Sequence, residues 1–111
     1  MADLGEDQVA EIVVDTGVDP AGVPIVSVSG ELDSSNAASL EATVAPLAAE
    51  HPERLIFDLS ALRFMDSAGI AVLVGVAAKV DSVKLREPSE AVRRVIQLTG
   101  LSGVLPVESS S

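Results

Sequence analysis

Between Leu55 and Val74 the hydrophobic pattern changes period within a few residues. Leu55, Phe57 and Leu59 alternate with Ile56, Asp58 and Ser60, the period of two that a strand requires. Ile70, Leu73, Val74, Ala77 and Ala78 then recur at the spacing of a helix face. The polar stretch FMDSAG, Phe64 to Gly69, joins the two and puts Asp66 and Ser67 at the helix start. A strand fed directly into a helix is half of a crossover unit, which commits the chain to an α/β arrangement. The joint also poses the functional question, because an acid and a hydroxyl there can cap a helix, do chemistry or be modified.

The rest of the chain continues the alternation. Ile12 to Val14 is a short β-branched run, TGVDPAG is dense in turn residues, and Val23 to Ser29 is strand-like, so a hairpin with a long loop is expected. GELD, Gly30 to Asp33, ends the second strand. Asn36 is a natural N-cap for a helix whose face is Leu40, Val44, Leu47 and Ala48. Pro46 inside that helix removes a backbone hydrogen bond at about 3 kcal/mol, so a kink or an early tightening is expected there. His51-Pro52 closes the segment, and the strand Arg54 to Leu59 follows. SVKLRE alternates as a half-buried strand, and Pro88 breaks it. Ser89 caps a third helix with Val92, Val95, Ile96 and Thr99 inside and Gly100 as its stop. Val104 to Val107 reads as an edge strand, since Pro106 cannot donate to a central ladder.

These elements predict one domain over residues 9–108, with flexible termini at 1–8 and 109–111. Its sheet should be mixed and mainly parallel. Helices should lie chiefly on one face, because strands buried on both faces read as continuous apolar runs.

Composition narrows the function classes. Seventeen acids against seven bases give a net charge of −10, which repels nucleic acid and anionic membranes and favours basic protein partners. Phe57 and Phe64 are the only aromatics, too few for base stacking. No apolar run approaches the roughly 20 residues of a membrane span, and the polar N-terminus is no signal peptide. The absence of cysteine and the single histidine, His51, argue against a zinc site. A cytoplasmic protein without a cofactor is expected.

In such a sheet the strands deliver their C-terminal ends to one rim. Asp33, Asp66, Ser67 and the loop before Ser89 should share it. Ser67 lacks a base, for His51 lies at the far end of the first helix, and no G-x-S-x-G elbow or phosphate loop occurs. Asp33 with Asp66 is weak evidence for magnesium. Two readings of Ser67 stay level: a helix cap, or a phosphorylation site whose charge of about −1.5 to −2 alters a docking surface more than the fold.

GELD, LIFDLSALRFMDSAGIAVLV (Leu55 to Val74) and SEAVRRVIQLTGL (Ser89 to Leu101) resemble the blocks of bacterial anti-sigma factor antagonists of the STAS-domain family. The resemblance runs from about Ile12 to Val107. It implies that Ser67 is the phosphoacceptor, in a rim made by Asp33, Ser34, Asp66, Ala68 and Gly69. It also implies partner switching. The unphosphorylated chain binds an anti-sigma factor with serine kinase activity and frees a sigma factor. Phosphorylation ends the complex, and a serine phosphatase resets it. The chain is then a substrate and binder, not an enzyme. A scaffold role in a stress-signalling complex and nucleotide sensing are the alternatives. Three departures stand out: Ala68 replaces a second serine found in many members, AAKVDSV is a shortened connection, and Pro46 perturbs helix one.

Overall fold

The computed structural model describes residues 11–101 and 103–108; the expectations for 1–8 and 109–111 lie outside them. The elements are β1 (Ile12–Val18), β2 (Pro24–Leu32), α1 (Ala37–Ala49), β3 (Arg54–Asp58), β4 (Leu62–Met65), α2 (Ser67–Ala77), β5 (Ser82–Arg86), α3 (Glu90–Thr99) and β6 (Val107–Glu108). The sheet order is β1-β2-β3-β5-β6, with β4 also paired to β2. The β1–β2 pair is antiparallel and every other pair is parallel. This is the expected mixed, mainly parallel sheet.

The opening hairpin is tighter than TGVDPAG suggests. β1 runs on through Thr16, Gly17 and Val18, each paired across to β2. Asp19 closes the turn almost alone, its Oδ1 accepting from the amides of Ala21 at 2.8 Å and Val23 at 2.9 Å.

β2 changes partner halfway along. Its first half pairs with β3 from Ile25↔Ile56 to Ser27↔Asp58; its second half pairs with β4 from Gly30↔Leu62 to Leu32↔Met65. A register shift separates Gly30 from Glu31. Gly30 has φ of 100°, and a Cβ there would run into the carbonyl oxygen of Glu11, so only glycine suits the step. β4 is absent from the sequence reading, which treated Phe64 to Gly69 as one polar joint. Its burial pattern explains the miss, because Leu62 and Met65 are buried with the exposed pair Arg63 and Phe64 between them. Period two is broken, so alternation cannot reveal this strand.

Burial shows which face the helices cover. Val26 and Val28 of β2, Leu55 and Phe57 of β3, and Val83 and Leu85 of β5 are buried. They form one core with Leu40 and Val44 of α1, Ile70 and Leu73 of α2, and Val92 and Ile96 of α3. Ser27, Ser29 and Lys84 alternate with them and stay more open. Apolar area removed from water on this single face is the main stabilising contribution.

α1 passes through Pro46 without interruption. Tightening comes only at its end, where the amides of Glu50 and His51 bond to Leu47 and Ala48. Ala42 and Pro46 are both exposed, so the carbonyl that lost its donor is on the wet side. The last expected strand is shorter than Val104 to Val107. The amides of Val104 and Leu105 fold back to the Leu101 carbonyl at 3.0 and 2.9 Å, which buries Leu105 and delays β6. Pro106 serves as an acceptor only, receiving the Leu85 amide at 2.9 Å.

Candidate functional site

Leu32 and Met65 are the last paired residues of β2 and β4, so Asp33 and Asp66 leave the sheet from neighbouring strand ends. The Asp66 amide donates to the Leu32 carbonyl at 3.2 Å, which ties the two exits together. The rim expected from the sequence is therefore present for Asp33, Asp66 and Ser67.

At the start of α2 the acid and the hydroxyl have separate roles. Asp66 is the N-cap, and its Oδ1 accepts from the amides of Ala68 at 2.9 Å and Gly69 at 3.4 Å. Ser67 is the first helical residue and is exposed, and its hydroxyl has no hydrogen-bond partner among the described residues. The cap reading of Ser67 fails, because Asp66 already occupies the amides that a cap would serve.

Gly69 is buried rather than presented on the surface. A Cβ there would lie 2.6 Å from Cγ of Met65 and 2.7 Å from Cδ2 of Leu32. The glycine of D-S-x-G thus lets the first turn of α2 rest directly on the ends of β2 and β4. Ala68 is half-buried beside it, and Ser34 is exposed in the turn after β2.

Asp33 heads a compact turn. Its Oδ1 accepts from the Ser35 amide at 2.8 Å and the Ser35 hydroxyl at 2.6 Å. The Ser35 hydroxyl, then its amide, hold the Asp33 carboxyl below the ordinary carboxylate value. Asn36 stands at the N-cap of α1 but makes no side-chain cap bond. Its Oδ1 instead accepts the Asp33 amide at 3.0 Å and its Nδ2 donates to the Glu31 carbonyl at 2.9 Å. Contrary to the capping role expected from the sequence, the Asn36 side chain serves the strand end.

His51 is confirmed as remote. Its Nδ1 lies 3.1 Å from the carbonyl of Lys79, just past the C-terminal end of α2, whereas Ser67 opens that helix. Eleven residues of α2 place the two ends roughly 16 Å apart, too far for a base. Among the described residues no group of three or more His, Cys, Asp or Glu side chains converges as a metal site, and no helix is long and apolar enough to cross a membrane. Phe64, which the sequence reading left without a role, is 45% exposed three residues before Ser67. It shares a shallow groove with Ala91, Val95 and Leu98 of α3.

Residues 9–111 match the model of the STAS domain. The chain belongs to the STAS-domain family. Among curated STAS relatives, the anti-sigma-F factor antagonist RsfB of Mycobacterium tuberculosis is 37% identical over 78% of this chain and 73% of its own. The crystal structure of an anti-sigma factor antagonist from Mycobacterium paratuberculosis superposes with a TM-score of 0.80 at 35% identity, covering 87% of this chain and 85% of that one. The Bacillus cell fate determinant SpoIIAA in its phosphorylated form gives 0.69 at 20% identity, with 89% and 92% covered, and so attests the fold. The first two are named as anti-sigma factor antagonists, in agreement with a regulatory STAS protein that is not an enzyme.

Proposed function

We propose that this STAS protein is an anti-sigma factor antagonist switched off by phosphorylation of Ser67. The observation that carries the reading is the division of labour at the start of α2. Asp66 satisfies the helix amides, which leaves the Ser67 hydroxyl exposed and without a partner among the described residues. The names of the relatives support an anti-sigma factor as the partner, and a serine kinase activity of that partner would supply ATP and magnesium. In the transfer, Ser67 Oγ attacks the γ-phosphorus, loses its proton to the kinase, and ADP leaves. A serine phosphatase would reverse the state.

Two features make the added charge effective. The Ala68 and Gly69 amides already serve Asp66, so a phosphate at Ser67 meets the helix dipole without those two donors and keeps most of its charge for the surface. It also joins a rim that holds Asp33 and Asp66, and like charges set together at an interface cost several kcal/mol. A loss of about 2.7 kcal/mol already lowers affinity roughly a hundredfold.

Calorimetric titration against the cognate anti-sigma kinase with nucleotide tests the reading. Unmodified protein and Ser67→Ala should bind tightly, while the phosphorylated protein and, in part, Ser67→Glu should not. Peptide mass spectrometry should find one phosphate, at Ser67. Equal binding of Ser67→Glu and Ser67→Ala, or a phosphate at Ser34 or Ser60, would overturn it.

A further inference from the structure

Asn36 is the one buried polar residue among those described, at 8% exposure, and it sits where a helix cap belongs. Asparagine is among the best N-cap residues, worth about 1 kcal/mol when its side chain accepts a helix amide. Here that bond is not made. The first amides of the α1 region are served by the main chain instead, with the Asp33 carbonyl accepting from Asn36 at 3.2 Å and Ala37 at 2.9 Å. The carboxamide turns back and clamps both sides of Leu32, taking the Asp33 amide on one side and the Glu31 carbonyl on the other. Leu32 is the residue that pairs with Met65 and accepts the Asp66 amide. One side chain therefore fixes the strand end on which Asp33 and the Asp66–Ser67 pair are both hung.

We infer that Asn36 is the positioning residue of the phosphoacceptor rim: it forgoes capping α1 so that Asp33 is held in fixed register with Ser67 for the docking partner. The inference rests on the proposed role of Ser67. Its physical basis is pre-organisation, since a turn that must be ordered on binding subtracts that entropy from affinity. Asp33 is further locked by Ser35, so the turn from Asp33 to Asn36 is closed on itself before any partner arrives.

Asn36→Ser separates positioning from a merely structural role. Serine can cap α1 as well as asparagine but is too short to bridge Glu31 and Asp33, so denaturation should show a lower midpoint with the unfolding slope, and hence the fold, unchanged. Kinase assays with the variant as substrate should show KM raised about tenfold or more with kcat nearly unchanged, because the Ser67 hydroxyl itself is untouched. Amide exchange at Asp33 and Ser35 should accelerate while that of Phe57 and Leu85 stays as before. The inference is overturned if Asn36→Ser keeps both KM and the slow exchange at Asp33. A loss of stability matched in size by the loss of binding would overturn it too. If the parent protein is not phosphorylated at Ser67, the proposed function fails, and the exchange result still decides whether Asn36 holds the turn.

Discussion

Gly69 has no room for a side chain. A methyl group there would press on Leu32 and Met65, both fully buried. Gly69→Ala therefore sets a gain in helix propensity of about 1 kcal/mol against overpacking that costs roughly 1–3 kcal/mol. Net destabilisation is the expected outcome, read as a lower urea midpoint with unchanged slope; a midpoint that rises would mean the contact relaxes freely. Asp33 offers a second test. Its carboxyl is held low by Ser35, so ionisation favours the folded chain above the ordinary carboxylate value, and that contribution disappears as pH falls through the depressed folded value. Ser35→Ala should move the Asp33 titration, followed by carboxyl carbon NMR, up toward the ordinary value. An unmoved titration would assign the shift to something other than Ser35. The sequence placed Asp33, Asp66 and Ser67 together because strand ends share a rim. It hid the use of Asn36, since an asparagine before a helix reads as a cap whichever way its amide turns.

At the scale of elements, α2 owes its start to Asp66 and its seat to Gly69. Asp66→Ala should cost about 1 kcal/mol in thermal or urea unfolding, whereas Ser67→Ala should leave stability nearly unchanged. The reverse ranking would restore Ser67 as the cap. α3 was readable except that Thr99, expected inside, is exposed and turns its hydroxyl to the Ile96 carbonyl at 2.7 Å: Ser89 accepts the Val92 amide at 3.2 Å, Val92 and Ile96 are buried, and Gly100 ends the helix at φ of 75°. Each of these is a local signal that tertiary packing leaves intact. β4 was unreadable for the opposite reason, because its partner and register are set by a bulge in β2, far away in sequence.

For the whole molecule, the change of partner along β2 carries the rim beyond the main ladder. Leu32, paired with Met65, lies five positions beyond Ser27, paired with Asp58, or roughly 16 Å along the strand. Gly30→Ala should lose more than Gly69→Ala, since it meets main-chain atoms and adopts a backbone conformation unsuited to alanine. Comparable losses in urea unfolding would show that the β2 bulge yields. The hand-over also means that β2 is the one strand common to the β3 ladder and the β4 ladder. Such a boundary is where cooperative units divide, and small domains open along it with less than the global free energy. The end of the molecule beyond Gly30 should then exchange its amide hydrogens sooner than the β3–β5 slab, even though Leu32, Leu62 and Met65 share its core.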